Sequence, residues 1–411
     1  MISEINKMSN GIKINTSEEK IKELLERRVE KVIVQKDLEK KLFSGKRLRI
    51  KFGVDPSRPD IHLGHAVPLR KLKEFQKLGH QVVFIIGDFT GQIGDPSGKS
   101  KTRVQLSAKE VDKNAETYLK QVGKIIDTSK IEIRRNSQWY KKMKLDDVIK
   151  LAGLVTVARI LERDDFTKRM KKNIDIRIHE MLYPILQAYD SIIIKADVEI
   201  GGTDQTFNML MGRTLQKKLD KSLQDVMTVP LLIGLDGKEK MSKSMNNYIG
   251  VIENSQEQYG KIMSIPDELI VRYFKLTTDV SLNKIREIER DLKSKKLNPR
   301  DAKALLAWEI VKLYHSEEEA TRAEKEFNKI FKEHKAPEKI PEIKIKNKEI
   351  TILDLLVQTK LAKSKGEARR LVQQGGIKID GGLIDNWKKT ISIKNGMIVQ
   401  AGKRRFVRIK S

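Results

Sequence analysis

Residues 48–86 predict a strand, a helix and a second strand, and this unit leaves few folds open to the chain. Residues 48–54 indicate the first strand, the helix begins at His62 and stops at Gly79, and residues 82–86 are apolar without interruption. A continuous apolar run is expected of a strand buried on both faces of a sheet. Strands joined through a helix pair in parallel, so we predict an α/β fold that binds its ligands at the carboxyl ends of the strands.

The predicted sheet domain covers residues 1–255, with a helical insertion at about 105–190. A strand that leads into Gly201-Gly202-Thr203-Asp204-Gln205 and another helix continues the parallel pattern after the insertion. The elements predicted beyond the first unit are a helical lead-in at residues 16–45, mainly helical residues at 105–180, and strands at 191–196 and 226–233.

Two further regions follow the sheet domain. Residues 256–335 have a helical, charged pattern, and a linker at residues 336–348 is marked by prolines and alternating lysines. The terminal unit, residues 349–411, contains a helix with a basic face at residues 365–372. Four consecutive segments are therefore predicted.

The charge of the chain is strongly positive and concentrated at its end. There are 83 Lys and Arg against 56 Asp and Glu, a net charge of +27. Residues 351–411 hold 14 basic and 4 acidic residues, so +10 of the total lies there. A lysine-rich coding bias that aids solubility is one explanation, but a uniform bias does not account for this concentration. A polyanion partner such as nucleic acid does, because basic surfaces bind it through counterion release.

Several classes of site are excluded by residue type. The chain has no cysteine, which excludes disulfides, thiolate nucleophiles and cysteine-ligated metals. The six histidines lack metal-ligand spacing, so no protein-bound metal is expected. The N-terminus has no apolar segment typical of a signal peptide, and no run approaches transmembrane length. We therefore expect a cytoplasmic protein.

Two motifs suit the same phosphate ligand. Lys240-Met241-Ser242-Lys243-Ser244 offers two cations and two hydroxyl donors on a loop, and His62-Leu63-Gly64-His65 opens a helix whose N-terminus attracts anions. Taken singly, the lysines could be surface residues and the histidines ordinary helix-start residues. Their occurrence together, with the Gly-Gly-Thr-Asp-Gln element between them, favours an ATP-activating enzyme.

Residues 93–100 are similar to a phosphate-binding P-loop but depart from it. Ile93 stands where the first glycine is required, and Pro96 removes a backbone donor from the cradle. A loop that lines a site with Asp95 and with downstream cations such as Lys99 and Arg103 is the better interpretation.

Together these motifs identify a resemblance. The chain resembles the bacterial tyrosyl-tRNA synthetases, a class I aminoacyl-tRNA synthetase family, over essentially its full length. The spelling of the lysine loop suggests the second bacterial subfamily. The matching strings are Phe52-Gly53-Val54-Asp55-Pro56, His62-Leu63-Gly64-His65, Gly87-Asp88-Phe89-Thr90-Gly91, Ile93-Gly94-Asp95-Pro96-Ser97-Gly98-Lys99, Tyr183-x3-Gln187-x2-Asp190, Gly201-Gly202-Thr203-Asp204-Gln205 and the lysine loop.

The resemblance implies a fold and a reaction. It implies a Rossmann-like parallel-sheet catalytic domain, a helical anticodon-binding domain and a small α+β S-four-like C-terminal domain that binds RNA. The reaction would activate L-tyrosine with ATP to tyrosyl-adenylate and pyrophosphate, then transfer tyrosine to the 3′-terminal adenosine of its tRNA. Mg²⁺ is expected with ATP, and a homodimer is implied, with contacts in the inserted helices around residues 130–180.

The resemblance also assigns roles to residues near the phosphates and on the RNA surface. Lys240 and Lys243 would contact the departing pyrophosphate, and His62 and His65 the ATP phosphates. The other implied ATP contacts are Ser57, Gly64, Lys99, Arg103, Gly202, Asp204 and Met241. The implied tRNA contacts are Lys365, Arg369, Arg370 and Lys378.

The amino-acid pocket implied by the resemblance selects tyrosine. Residues 183, 187 and 190 fall on one helical face, which allows all three to line one pocket. In the family, Tyr183 and Gln187, with Asp95, hold the ammonium group, and Asp190 accepts a hydrogen bond from the phenol. Gly53 and Gln205 would border the ligand.

One position departs from the family. Many members carry a tyrosine two residues before Gly53, where this chain has Lys51. Lys51 either donates to the phenol oxygen or points elsewhere and leaves Asp190 as its partner. The alternatives for the whole chain are a tryptophanyl-type synthetase, disfavoured by Asp190 and by the basic terminal unit, and a non-catalytic RNA-binding paralogue, disfavoured by the intact ATP motifs.

Overall fold

A computed structural model describes residues 13–56, 60–95, 107–332, 340–345, 347–402 and 405–410. The elements up to residue 229 are α1 Glu18–Glu26, β1 Lys31–Ile33, α2 Gln35–Phe43, β2 Arg49–Val54, α3 Leu63–Lys77, β3 Gln81–Ile86, α4 Thr90–Ile93, α5 Ala108–Val122, β4 Glu132–Arg135, α6 Ser137–Tyr140, α7 Leu145–Ala152, α8 Val157–Leu161, α9 Asp164–Lys171, α10 Ile178–Ile193, β5 Val198–Gly202, α11 Thr206–Lys218 and β6 Asp225–Val229.

The remaining elements are α12 Ser255–Met263, α13 Ile270–Thr277, α14 Leu282–Lys293, α15 Pro299–Tyr314, α16 Glu317–Lys332, β7 Glu342–Lys344, β8 Glu349–Thr351, α17 Ile352–Gln358, α18 Lys365–Gln373, β9 Ile377–Ile379, β10 Gly382–Leu383, β11 Thr390–Ser392, β12 Ile398–Ala401 and β13 Arg405–Lys410. Short 3₁₀ turns lie at Thr128–Lys130, Thr203–Gln205 and Asp267–Leu269.

The first sheet has the order β1-β6-β5-β2-β3-β4, and only the β1–β6 pair is antiparallel. Strand β3 is buried along five of its six residues, which confirms the prediction from its continuous apolar run. The chain builds outward from β2 in one direction through β3 and β4, and in the other through β5 and β6. The point between β2 and β5 is therefore a topological switch point, where ligands of such sheets bind.

The predicted strand at residues 191–196 is wrong. Helix α10 continues to Ile193, and its end is closed by two backbone hydrogen bonds in which Lys195 donates to Ile192 and Ala196 donates to Ser191. This is a Schellman closure in which Lys195 takes the left-handed conformation, with a φ of 51°, that glycine usually occupies. The strand of this region is β5, which begins two residues later at Val198.

The helical lead-in predicted at residues 16–45 is also broken. Strand β1 separates α1 from α2 and pairs with β6 at the sheet edge. Arg28 and Val34, which flank this strand, both have positive φ angles, so the chain changes direction without glycine.

The insertion at about residues 105–190 is mainly helical but also contributes to the sheet. Strand β4 lies within it and pairs in parallel with β3. The sequence prediction missed this strand because Glu132–Arg135 is charged and only partly buried, as is usual at a sheet edge.

The chain divides into two compact units. One contains the residues up to Asn254 with Lys261–Tyr314, and the other contains Ser255–Gly260 with His315–Ser411. Of the range 256–335, residues up to 332 are described, and they contain the predicted helices, α12 to α16. Most of these helices cluster with the parallel sheet, however, so they do not form the separate unit that was predicted.

The second unit contains a small α+β domain. Its sheet has the order β10-β9-β12-β13-β7, a two-stranded sheet pairs β11 with β8, and α17 and α18 cover an apolar core that includes Leu355, Val372 and Val399. Strand β7 falls inside the predicted linker at residues 336–348, which is therefore too long at its end. None of the helices in the described segments has the length and apolarity needed to cross a membrane.

Candidate active site

One cavity of about 690 Å³ opens at the carboxyl ends of β2 and β5, within the first unit. The residues predicted to bind ATP or tyrosine that line it are Gly53, His62, Gly64, His65, Asp95, Tyr183, Gln187, Asp190, Gly202, Asp204, Gln205, Lys240, Met241 and Lys243. The other predicted ATP contacts, Ser57, Lys99 and Arg103, lie outside the described residues. Side chains far apart in the sequence thus converge on a single space.

The two histidines at the start of α3 stack on each other. Their ring centroids are 3.7 Å apart, and their planes differ by 19°. A side chain at Gly64 would place its Cβ 3.0 Å from the ring of His62 and 3.5 Å from Met241, so glycine is needed where the helix and the lysine loop approach.

Both imidazoles are neutral at physiological pH. Burial, and then the neighbouring His65 and Lys243, lower the pKa of His62 to about 2. His65 is exposed to the cavity; its partial removal from bulk water, and then Lys243 and Lys240, lower its pKa to about 4. A neutral imidazole still donates one hydrogen bond, and Nδ1 of His62 is buried with no partner in the described structure. The pair therefore suits hydrogen bonding to an anion, with the positive charge left to the lysines.

The lysine loop is tied to carboxylates that face the cavity. Lys240 Nζ lies 2.9 Å from Asp204 Oδ2, and Lys243 forms an ion pair with Asp60. Met241 is buried, and its backbone N–H donates to the carbonyl of Leu232 at 2.7 Å. The loop thus has an anchored centre, with its two ammonium groups held by acids.

A second group of side chains surrounds the inner part of the cavity. Tyr183 donates through its hydroxyl to Asp55 at 2.9 Å. Gln205 donates to Asp95 at 2.7 Å, and Asn208 donates to the side-chain oxygens of both Gln187 and Gln205, at 3.0 and 3.1 Å. These bonds fix polar groups around a space that an amino acid could fill.

Asp190 is buried and already accepts hydrogen bonds from the protein. Trp139 Nε1 donates to Oδ1 at 2.9 Å, and the Tyr140 hydroxyl donates to the same oxygen at 2.7 Å. Burial raises the pKa of Asp190 to about 6, opposed first by the Lys51 ammonium and then by the bonds from Tyr140, Trp139 and Asn136. The second carboxylate oxygen has only a 3.5 Å contact, from Asn136, and so retains capacity to accept from a ligand.

Lys51 lines the cavity, and its ammonium is bound by groups of the protein. Its ammonium contacts Glu199 Oε1 at 2.8 Å, the carbonyl of Gln187 at 2.7 Å and Ser191 Oγ at 2.6 Å. An ammonium has three protons, so its donors are fully used by the protein.

The sequence interpretation missed the groups that hold these side chains. Asn136, Trp139 and Tyr140 follow β4 directly, and residues just beyond parallel strands meet at the ligand edge of the sheet. If β4 had been recognised as a strand, the position of these three residues just beyond it would have indicated them. Asp55 was quoted only as part of a motif, and a Cβ at Gly87 would lie 2.0 Å from its Oδ1, which explains the glycine at the end of β3.

The predicted tRNA contacts lie in the second unit. Lys365, Arg369 and Arg370 belong to α18, Lys378 belongs to β9, and all four are exposed. Arg369 stacks over the ring of Trp387 at 4.2 Å from its centroid. The four side chains form part of the basic terminal domain and do not contribute to the cavity.

Comparison with known proteins gives consistent similarities. A family model described as tRNA synthetases class I (W and Y) matches residues 43–332, and one described as the tyrosine–tRNA ligase SYY-like C-terminal domain matches residues 332–409. The tyrosine–tRNA ligase of Thermotoga maritima is 51% identical over 394 residues, which are 96% of this chain and 98% of the relative. That of Moorella thermoacetica is 50% identical over 390 residues, 94% of each chain.

Solved structures are similar as well. The tyrosyl-tRNA synthetase of Archaeoglobus fulgidus, complexed with L-tyrosine, is 25% identical with a TM-score of 0.61, over 74% of this chain and 99% of that one. A C-terminally truncated mitochondrial tyrosyl-tRNA synthetase of Aspergillus nidulans is 26% identical with a TM-score of 0.63, over 75% of this chain and 93% of that one.

Proposed function

The chain belongs to the tyrosine–tRNA ligases of the class I tRNA synthetase family. We propose a division of its cavity into residues that bind ATP and residues that bind tyrosine. The activity is the joining of tyrosine to tRNA, with ATP as a further substrate. In the first step the tyrosine carboxylate attacks the α-phosphorus of ATP, forming tyrosyl-adenylate and releasing pyrophosphate. In the second, tyrosine passes to the terminal adenosine of tRNA.

The observation that supports this division is that two groups of side chains line one cavity. The stacked histidines and the lysine loop form one group, and the side chains of α10 with Asp95 and Gln205 form the other. An attack between two bound substrates requires their reacting atoms to be held together, which a shared cavity provides.

The first group is proposed to bind ATP. His62 and His65 donate hydrogen bonds to phosphate oxygens beside the N-terminus of α3. Lys240 and Lys243 then neutralise the charge that develops on the departing pyrophosphate, after exchanging their carboxylate partners for phosphate. The ribose and adenine contacts are assigned to Gly64, Gly202, Asp204 and Met241, with Ser57, Lys99 and Arg103 as further predicted contacts.

The second group is proposed to bind tyrosine. Asp190 accepts the phenol hydrogen bond through its less occupied oxygen, and Tyr183, Gln187 and Asp95 surround the ammonium group. Gly53 and Gln205 border the ligand. A buried acceptor for a hydroxyl rejects phenylalanine strongly; tyrosyl-tRNA synthetase is the standard example of this effect.

Mg²⁺ is proposed to enter with ATP. In the described ranges, no three acidic or histidine side chains are clustered so as to hold a metal ion. Phosphate oxygens and water can supply most of its ligands, and no step of the proposed reaction is assigned to it.

The tRNA is proposed to bind the exposed basic side chains of α18 and β9, namely Lys365, Arg369, Arg370 and Lys378. Residues 256–335, whose described part contains helices α12 to α16, are proposed to contact the anticodon arm. We also propose that the protein acts in the cytoplasm, where tRNA is charged.

A homodimer is proposed from apolar side chains exposed on the inserted helices. Leu145, Ile149, Val157 and Ile178 are 73%, 61%, 62% and 74% exposed, and exposed large apolar groups mark association surfaces. Light scattering should give twice the chain mass for the native protein and the single mass for a Leu145→Glu/Ile149→Glu variant. Leu305→Glu, at an exposed apolar site outside the insertion, is the control that should stay dimeric. A native monomer would contradict the proposal.

The function is tested by ATP–pyrophosphate exchange with tyrosine, phenylalanine and tryptophan in parallel. Exchange that depends on tyrosine alone is expected. Preference for tryptophan would support the tryptophanyl-type alternative, which the tyrosine-ligase match of residues 332–409 disfavours. No exchange with any amino acid would support a non-catalytic paralogue. That alternative is disfavoured by His62, His65, Lys240 and Lys243, which all line the cavity.

A further inference from the structure

A buried ion pair lies beneath the proposed tyrosine pocket. Lys51 on β2 and Glu199 on β5 are opposite each other in the register of these parallel strands. Their side chains are only 1% and 3% exposed, and Nζ lies 2.8 Å from Oε1. Two charges removed from water are costly unless their remaining hydrogen bonds are satisfied, so such a pair at a substrate pocket requires an explanation.

The contacts of this pair converge on one turn of α10. Lys51 donates to the carbonyl of Gln187 and to the hydroxyl of Ser191, which are one helical turn apart and bracket Asp190. Glu199 accepts from the side chain of Gln187 at 3.2 Å and from Ser191 at 3.2 Å. The pair thus fixes the segment that carries both Gln187 and Asp190.

The ammonium also places a positive charge near a buried carboxylate. Burial drives Asp190 towards its neutral form, and among the causes that act in the opposite direction the Lys51 charge comes first. An opposite charge close to a buried carboxylate favours ionisation strongly, because little water screens the attraction.

We propose that Lys51 is a positioning residue for tyrosine selection: paired with Glu199, it holds the Gln187–Ser191 turn in place and keeps Asp190 ionised, so that Asp190 can accept the phenol hydrogen bond. The inference rests on the proposed role of Asp190. It assigns to Lys51 an action through Asp190 and not through contact with the substrate.

Other titratable groups face the same pocket from neighbouring elements. Towards the proposed tyrosine pocket they are Asp55 after β2, Asp95 after α4, Tyr140 on α6, Tyr183 on α10 and Glu199 on β5. The rest of the cavity adds Asp60, His62, His65, Tyr118, Asp204, Lys240 and Lys243. Burial, and then the surrounding carboxylates, raise the pKa of the Tyr183 hydroxyl well above its ordinary value, so this phenol stays neutral. The cations Lys240 and Lys243 line the same cavity, but the positive charge that lowers the pKa of Asp190 is that of Lys51.

The test is the pH dependence of selectivity, measured as the ratio of kcat/KM for tyrosine to that for phenylalanine in pyrophosphate exchange at saturating Mg-ATP. Titration of ATP affects both amino acids and cancels in the ratio. The ratio should fall as Asp190 becomes protonated. In Lys51→Met the midpoint of this fall should move up by about one pH unit or more. A shift of one unit lowers selectivity about twofold at pH 7 and roughly tenfold at pH 5, below the native midpoint.

Two matched variants separate charge from packing. Glu199→Gln removes the acidic partner and keeps the ammonium, so its midpoint should stay or move down. Lys71→Met removes another buried lysine, paired with Glu74 away from the cavity; it should lower thermal stability without moving the midpoint. If Lys51→Met does not fold because Glu199 is left unpaired, Lys51→Met/Glu199→Gln compared with Glu199→Gln gives the same test.

An unchanged midpoint in the Lys51 variants, or an equal upward shift in Glu199→Gln, would overturn the inference. Asp190→Asn distinguishes this failure from failure of the pocket assignment. Selectivity that survives Asp190→Asn would mean that Asp190 does not select tyrosine by accepting a hydrogen bond from its phenol hydroxyl. Selectivity lost in Asp190→Asn, with an unmoved midpoint in the Lys51 variants, would reject only the role of Lys51.

Discussion

Asp190 shows at the scale of a single residue how selection and stability oppose each other. Its carboxylate is buried against Trp139 and Tyr140, and burial, opposed first by Lys51, leaves its pKa raised to about 6. A carboxylate that is harder to ionise in the folded state than in the unfolded chain destabilises the fold wherever it is ionised. The cost is absent below the unfolded pKa and fully present above the folded pKa.

Asp190→Asn should therefore be more stable than the native protein near neutral pH. A rise of about two pKa units corresponds to roughly 3 kcal/mol, and the amide oxygen can still accept from Trp139 and Tyr140. Thermal unfolding should give a higher midpoint for the variant at about pH 7.5 and a smaller difference at about pH 5, as native Asp190 takes up its proton.

The same variant should be a poor enzyme. A hydrogen bond to a charged acceptor contributes about 1.5–3 kcal/mol. If that contribution is lost, kcat/KM for tyrosine should fall by roughly tenfold to more than a hundredfold. Lower stability combined with unchanged tyrosine selectivity would contradict the account of Asp190 on both counts.

Individual residues differ in how far sequence patterns could predict them. The helical spacing of Tyr183, Gln187 and Asp190 predicted their common face, because α10 continues through that stretch despite Pro184. The orientation of Lys51 could not be predicted, since it depends on the register in which β2 pairs with β5. That register places Glu199 directly opposite Lys51. The role of each of these residues in binding stays a prediction.

At the scale of elements, the incorrect boundaries have a common cause. Helix α10 ends at a left-handed lysine, and the breaks around β1 occur at left-handed Arg28 and Val34. Glycine usually marks such positions, so patterns of residue type gave no signal there. The isoleucine run before Lys195 also has strong strand propensity, which the packing of α10 overrides. By contrast, α3 stops at Gly79, with a φ of 94°, and its end was predicted correctly.

The lysine loop has two carboxylate partners that should respond differently to substitution. Asp60 holds Lys243 but has no proposed role towards ATP, so its carboxylate competes with the phosphates for the ammonium. Asp60→Asn should lower the KM for ATP in pyrophosphate exchange by roughly two- to fivefold, as expected for a partly exposed ion pair.

Asp204→Asn is the matched comparison. It releases Lys240 in the same way but removes the proposed ribose contact, so the KM for ATP should rise. A rise in both variants would show that Asp60 supports the ATP-bound loop rather than competing with ATP.

At the scale of the whole molecule, the cavity and the basic terminal domain lie in different compact units. The cavity belongs to the first unit, and the basic terminal domain belongs to the second. The sequence predicted the terminal domain from its charge, whereas the clustering of α13 to α15 with the sheet depends on tertiary contacts that composition does not reveal.

Truncation before Glu342 should separate the two activities. This cut removes the terminal domain from β7 onward and leaves every described cavity residue in place. Tyrosine-dependent exchange should persist. Charging of tRNA should weaken, most clearly at low salt, and the affinity for tRNA should depend less steeply on salt concentration, because fewer cations bind the phosphate backbone. Normal charging by the truncated protein at all salt concentrations would assign the basic domain another role.

The most direct test of a shared cavity for adenylate formation is tyrosine-dependent pyrophosphate exchange by Lys243→Ala, with tyrosine binding measured separately by calorimetry. Removing a group that stabilises transition-state charge typically costs about 10²–10³ in rate. We expect a loss of exchange on that scale with nearly native tyrosine affinity. Exchange at the native rate would contradict the account, because the lysine loop would then have no part in the reaction.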